Sequence, residues 1–399
     1  MTTIGESMSD AAGRLRGRTW GQAGARRAPF QKSTAYAGLR ATGWFSSYTI
    51  ADTWYPSWGA DDVLYTPFTD GHANGVEALS YGDNPTVGHA TIRGDNPLDL
   101  AIENVGLIPV DRGEYQGRYP CGSLMIDGTW YYGTYTVADG GRGLNYDVLG
   151  PLVGFHTSMD AGATWTPPPT TPDASLFGES GWDGDPVRMG APHFVDFGKN
   201  MEHSPDGYAY LVGHGSANSR EHLSWISGDA VFLARVKPAP ETINDASAWE
   251  FFAGHDRDGA PTWRAGIATA RSIVSWPAHM GCVTVTYSPA AKKYFMCVTD
   301  GWPTVREMDS YILEADSLTG PWKMVAHLAD FGPQAYFLNF PSKFISDDGS
   351  RMWLCYSANF TSNAEIPWEA DPEGSRYAMC LLELELLQIE KDPDFGRNR

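Results

Sequence analysis

Five segments of the chain repeat one pattern: a short apolar strand, a polar turn, a second strand rich in Tyr, Trp or Phe, then small or polar residues. They run from Asp52 to Asp70, Arg118 to Val137, Pro192 to His214, His279 to Asp300 and Asn339 to Asn359. Turn-forming residues sit near their centres, at Asp61-Asp62, Asp127-Gly128, Asp206-Gly207, Pro289-Ala290 and Asp348-Gly349. A third strand follows each hairpin, around Gly88, Val153, Ala230, Tyr311 and Tyr377. The turn centres lie 66, 79, 84 and 58 residues apart, so long insertions separate the strands.

A sheet of three or four strands cannot bury its own faces, and a radial stack of such sheets buries them against one another. The pattern therefore predicts an all-β chain, a five-bladed β-propeller over residues 30–390, each blade with an outer fourth strand. The segment from Ala41 to Ile50 should complete the fifth blade and close the ring. A β-sandwich is the alternative, but it leaves the fivefold pattern unexplained. Residues 1–29 carry five arginines and no apolar periodicity, and read as a disordered arm; residues 391–399 read as a tail.

Charge and cysteine content narrow the partners. With 48 acidic and 29 basic residues the formal charge is −19, which repels a phosphate backbone and disfavours nucleic acid. No run of about 18 apolar residues is present, so no membrane-spanning helix is expected. Met1 to Pro29 lacks the apolar core of a secretory signal, giving a cytoplasmic location as the expectation. Five cysteines, an odd number without C-x-x-C spacing, sit in apolar runs and read as buried free thiols rather than a disulfide framework or zinc site.

In a propeller all inner hairpins turn at one end, so the residues at their opposite ends converge on one face. Asp52 and Asp70 lie nine residues before and after Asp61. Directly opposed across an antiparallel pair, their Cβ atoms would be about 4.5–5.5 Å apart. Two such carboxylates repel, one pKa rises, and acid/base chemistry follows; a structural calcium ion is the alternative role, and no other cofactor is required. The same level carries Arg118, His193 with His214, His279 with Asp300, and Asn339. Trp54, Tyr55, Tyr119 and Trp302 add aromatic faces suited to sugar rings. These ten residues are the candidate substrate contacts. His193 and His279 could instead be satisfied core histidines, and Arg118 an ion-pair partner of Asp52 or Glu114.

The stretches Asp52-TWYPSWGADDVLYTPFT-Asp70-Gly71, Gly88-HATIRGD, Cys121-GSLMIDGTWYYG and His193-FVDFGKN together resemble a bacterial propeller family, formerly a domain of unknown function, that includes endo-D-arabinanases. The likeness extends from about Thr42 to Leu387. It implies glycoside hydrolysis of D-arabinofuranosyl or related chains, with Asp52 and Asp70 as the catalytic pair. Three functions are thus in play. In a glycoside hydrolase the two carboxylates flank the bond, and direct opposition would give the short, retaining arrangement. A lyase would use His193 or His279 as base, with Arg118 neutralising a uronate. A carbohydrate-binding propeller would have no chemistry. An oligosaccharide or glycoside is the expected partner in each, and the sequence assigns no oligomeric state.

Overall fold

Turn chemistry and strand composition produce five antiparallel hairpins, and each becomes the inner part of its own sheet. The computed structural model describes residues 16–22, 28–141, 143, 145–182, 185–217, 223–301, 308–329, 331–332, 334–358, 372 and 374–389. Blade one is built from Ile50–Asp52, Leu64–Ala73, Thr86–Arg93 and Ala101–Pro109, and blade two from Gly117–Ile126, Thr129–Ala138 and Val148–Ser158. Blade three runs Gly190–Phe194, Ala209–Gly215, Ala230–Val236, Glu250–His255 and Pro261–Ala265. Blade four runs Gly281–Ser288, Lys293–Asp300, Asp309–Ala315 and Lys323–Leu328, with Gln31–Lys32 added in parallel at its edge.

Blade five closes the ring. Its strands Tyr336–Asn339, Arg351–Ser357 and Met379–Gln388 come from the end of the chain, and Tyr36–Tyr48 from near the start pairs with Met379–Gln388 as the fourth. The protein is a five-bladed β-propeller. Within the segment read as an arm, Thr19–Gly21 adds a fifth strand to this blade, pairing with Gly38–Arg40. Trp20 is the reason: it is buried with its ring edge-on to Phe331. Residues 1–15 and 391–399 lie outside the described residues.

Blade two departs from the expected four strands. Beyond Val148–Ser158 the chain makes only an isolated bridge between Thr157 and Thr166 before Pro167, Pro168 and Pro169. Proline has no N–H to give a ladder, so pairing stops there.

The core lies between blades rather than inside any one of them. Ala51, Trp54, Phe68 and Ile92 of blade one meet Trp353, Cys355 and Leu381 of blade five. Tyr65 and Val87 of blade one meet Trp130 and Tyr132 of blade two. Ile312 and Val325 of blade four meet Leu354 and Leu382 of blade five. All five cysteines are buried and free, and burial raises each thiol pKa above its usual range. Among the described residues no helix is long and apolar enough to cross a membrane.

Every inner strand is interrupted partway along. Register shifts fall between Ile50 and Asp52, Pro120 and Ser123, Gly190 and His193, Gly281 and Thr284, and Tyr336 and Asn339. In four blades a non-glycine residue there takes positive φ: Thr53 (66°), Ala191 (39°), Cys282 (31°) and Phe337 (57°). Such bulges twist a strand and re-aim its side chains, and they recur next to functional sites.

Candidate active site

Asp52 and Asp70 both line one cavity of about 280 Å³, together with Tyr81, Tyr119, Tyr135, Val137, Asn145, Tyr146, Trp225, Tyr336, Phe337 and Tyr377. Blades one, two, three and five contribute to it. It lies at the end of the inner strands away from the tight turns at Asp127 and Asp348.

The carboxylates come together by a route the residue count does not reveal. On either side of Asp52, Ile50 pairs with His72 and Ser57 with Tyr65, the register that would set Asp52 opposite Asp70. The bulge shifts Asp52 itself to Thr69. Simple alternation would then turn Asp70 to the other face, but its positive φ of 50° rotates it back to the cavity. Gly71 lets the strands approach this closely, since a Cβ there would meet the Ile50 carbonyl oxygen at 2.0 Å.

The two carboxyls have different surroundings. Asp52 is buried, and accepts hydrogen bonds from the Tyr336 hydroxyl at 2.6 Å and the Thr53 hydroxyl at 2.8 Å. Burial, reinforced by the Asp70 charge, pushes its pKa up to about 8 against the lowering effect of Tyr336, Thr53 and Tyr377. Asp70 keeps part of its surface open to the cavity and accepts the Ser80 backbone N–H at 2.7 Å and the Thr69 hydroxyl at 3.3 Å. Burial raises its pKa too, while the Ser80 N–H and the hydroxyls of Thr69, Tyr119 and Ser80 favour the ionised form. Asp52 is therefore the carboxyl that holds a proton near neutrality, and Asp70 the better-solvated anion. Tyr377 ties the pair together, donating to the Asp70 carbonyl oxygen at 2.7 Å while also reaching Asp52.

The remaining walls are aromatic and neutral. Trp225 donates its indole N–H to the Asn145 side-chain oxygen at 2.8 Å and packs edge-on to Tyr336. The Tyr119 hydroxyl donates to that of Tyr146 at 3.2 Å. None of the described residues lining the cavity is Lys, Arg or His.

Of the ten candidate substrate contacts, Tyr119 lines the cavity and most of the others are placed elsewhere for identifiable reasons. Trp54 is 1% exposed, stacked on Phe68 at 5.4 Å, with its indole N–H donated to the Ala51 carbonyl. Tyr55 and His193 lie deeper on the axis, ring against ring at 3.6 Å, and burial lowers the His193 pKa to about 3. His214 is fully buried, its Nε2 2.9 Å from the Ser224 carbonyl, and burial lowers its pKa to about 4. Arg118 points along the blade, donating to the Thr134 hydroxyl at 2.9 Å and the Asp111 carbonyl at 2.8 Å. Asn339 is consumed by the Trp54 and Phe337 carbonyls. His279 and Asp300 pair with each other at 2.6 Å under the Trp276 ring, apart from the cavity. Trp302 lies outside the described residues.

A calcium ion does not suit this donor set. It takes six to eight oxygen ligands. Among the described residues the cavity offers, beyond the two carboxylates, phenols and one amide, and no group of three or more His, Cys, Asp or Glu side chains is placed to hold a metal.

Trp54 separates packing from binding. Trp54→Ala should lower stability by about 3 kcal/mol, the cost of emptying a filled aromatic site, and leave KM for a cleaved glycoside unchanged. Thermal unfolding and steady-state kinetics on the same preparation check both halves.

No family model matches the chain, and no curated protein matches it in sequence. Among solved structures it is similar to an α-L-arabinofuranosidase from Podospora anserina, with 9% identity, 86% of this chain and 92% of that one covered, and a TM-score of 0.44. It is also similar to an exo-1,5-α-L-arabinanase from a bovine ruminal metagenomic library, with 13% identity, 88% and 98% covered, and a TM-score of 0.42. A family 117 glycoside hydrolase from Zobellia galactanivorans has 12% identity, 88% and 92% covered, and a TM-score of 0.42.

Proposed function

We propose that the chain is a glycoside hydrolase acting on neutral sugars, arabinofuranosyl glycosides foremost, with Asp52 as general acid and Asp70 as the base or nucleophile. The observation that carries this reading is the unequal environment of two carboxyls in one aromatic cavity. Asp52, buried and beside a second negative charge, keeps its proton at neutral pH and can deliver it to the departing glycosidic oxygen. Asp70, with a backbone N–H and several hydroxyls supporting its charge, can attack the anomeric carbon or activate water. As the bond to the leaving oxygen breaks, the pair of electrons goes to that oxygen with the Asp52 proton. The positive charge growing on the sugar faces Asp70 and the electron-rich ring faces of the cavity walls.

The neutral lining speaks to substrate class. A uronate or phosphorylated sugar would bring a charge toward two carboxylates with no cationic side chain among the described lining residues to meet it. The lyase reading is disfavoured, since His193 is buried as neutral imidazole and neither it, His279 nor Arg118 is among the described residues lining the cavity.

Release of 4-nitrophenol from a panel of α- and β-furanosides and pyranosides, with a glucuronide as control, tests the reading. Turnover of a neutral glycoside and none of the glucuronide is the expected pattern. Turnover of the glucuronide alone, or products absorbing as unsaturated uronates, would contradict it.

The pH profile follows from the same assignment. Activity needs Asp52 protonated and Asp70 ionised, so kcat/KM should fall as pH rises through about 8 and fall again on the acid side as Asp70 protonates. Tyr336 donates to the ionised form of Asp52, so removing it favours the protonated form. Tyr336→Phe should move the alkaline limb upward by about one unit. An unmoved limb would show that Asp52 is not the group titrating there.

A further inference from the structure

Among the described residues the cavity wall is mostly buried and is most exposed at one place. Tyr135, Val137, Tyr336, Phe337, Trp225, Tyr119 and Tyr377 are each buried, whereas Tyr81 is 50% exposed and Asn145 and Tyr146 are partly so. The mouth is therefore at Tyr81, on the side where blade one adjoins blade two. Outside it the fold continues directly to another aromatic surface. Tyr81 forms a bridge to Gly117, two residues from Tyr115, and Tyr115 packs with Ala138 and Val148 just behind the wall made by Val137. The Tyr115 ring stacks on Trp182 at 5.5 Å and 26°, and Trp182 remains 37% exposed.

This tryptophan is held firmly. Tyr115 donates its hydroxyl to the Ser180 carbonyl at 2.6 Å, the Trp182 N–H reaches the Ser180 hydroxyl at 3.3 Å, and backbone bonds join Gly181 to Asp185 and Asp185 to Trp182. Gly181, at φ 78°, lies so close to the strand Val148–Ser158 that a Cβ would meet the Leu149 carbonyl oxygen at 2.1 Å. A large apolar face is thus left partly exposed with its back covered by Tyr115, which the Tyr81–Gly117 bridge connects to the mouth of the cavity. A rigid exposed ring gives up little entropy on stacking, which is the property of a sugar-binding platform.

We infer that Trp182, backed by Tyr115, is an outer subsite that stacks a further sugar residue of a chain leaving the cavity over Tyr81, so that the enzyme favours oligosaccharides over simple glycosides. The inference rests on the hydrolase reading above and adds to it the length of the substrate. Trp182 touches neither carboxylate, so its removal leaves the chemistry of a short substrate alone.

The test is a chain-length series. Wild type, Trp182→Ala and Trp182→Tyr are compared on 4-nitrophenyl α-arabinofuranoside and on α-linked arabino-oligosaccharides of two to six units. In wild type, kcat/KM should rise with length. Trp182→Ala should lose about tenfold on the longest members through KM and nothing on the aryl glycoside, and Trp182→Tyr should recover most of the loss. Equal kcat/KM for wild type and Trp182→Ala at every length overturns the subsite while leaving the hydrolase reading standing, and so does an equal loss at every length. If wild type cleaves none of the series, the arabinofuranoside reading fails. Tryptophan fluorescence titration with the hexasaccharide then decides the subsite: binding weakened by Trp182→Ala supports it, while equal binding or none overturns it.

Discussion

Asp52→Asn and Asp70→Asn each fold as the wild type does, and each loses at least about a thousandfold in turnover of a glycoside with a sugar or alkyl leaving group that the wild type cleaves, equivalent to roughly 4 kcal/mol of barrier. The fold should survive because neither side chain bears an ion pair among the described residues. Asp52 is held by the Tyr336 and Thr53 hydroxyls and Asp70 by the Ser80 N–H, and an Asn side-chain oxygen still accepts such bonds. Turnover should not survive, because an amide neither delivers a proton to a leaving oxygen nor carries the charge of a nucleophile or base. Far-ultraviolet circular dichroism together with product release measures both. Retention of more than about a tenth of the wild-type rate by both variants would remove the pair from the chemistry.

The second large effect is on stability, and its direction is opposite to that of an ordinary paired carboxylate. The folded pKa of Asp52 lies above its unfolded value, so the folded chain binds this proton more tightly than the unfolded chain does. The group's contribution is most favourable below the unfolded pKa near 3.8 and is lost as pH rises toward about 8. At neutral pH the buried carboxyl therefore costs stability, by about 1.4 kcal/mol per unit of separation and as much as about 4 kcal/mol in all. Asp52→Asn removes the titration. It should unfold at a higher temperature than wild type at pH 7–8, and the gain should shrink steadily toward pH 4. Calorimetry across that range measures it. A variant less stable than wild type at pH 8, or a difference that does not change with pH, would mean that burial and the Asp70 charge do not govern Asp52.

The architecture was legible in the sequence because it rests on repetition. Five hairpins with turn residues at Asp127-Gly128, Asp206-Gly207 and Asp348-Gly349 specify five sheets, and the apolar run after Ala41 had no partner other than the last strand. Blade two's missing fourth strand contradicts the expectation of four strands in every blade, and the signal that was passed over is Pro167, Pro168 and Pro169, which have no N–H to give a ladder. Thr19–Gly21 was not legible, since a three-residue strand carried by one buried Trp20 leaves no periodic pattern.

The site was legible only where residue type and position coincide. Asp52 and Asp70 are acidic at the ends of one hairpin, and that much can be read directly. Their meeting depends on a bulge at Asp52 and a positive φ at Asp70, which no count from Asp61 contains. The same interruptions explain the histidines. His193 and His279 sit where matching repeat positions suggest a shared face, but the bulge between Gly190 and His193 places the His193 imidazole deeper on the axis against Tyr55. Five of the twelve described lining residues come from outside the hairpin strands. Tyr81, Asn145, Tyr146 and Trp225 lie on connections between strands, and Tyr377 lies just before the last one. The available signal was compositional: of the chain's 19 tyrosines, Tyr377, Tyr336 and Tyr119 stand around the two aspartates.

The claim that Asp52 gives the proton and Asp70 supports the sugar is tested most directly by varying the leaving group. A 2,4-dinitrophenyl glycoside departs without protonation, whereas a sugar or alkyl leaving group needs the acid. The account predicts that Asp52→Asn retains much of its glycosylic bond cleavage on the dinitrophenyl substrate and loses it on the alkyl one, while Asp70→Asn loses both. Equal losses for the two variants on both substrates, or the reverse assignment with Asp70→Asn rescued by the activated leaving group, would contradict it.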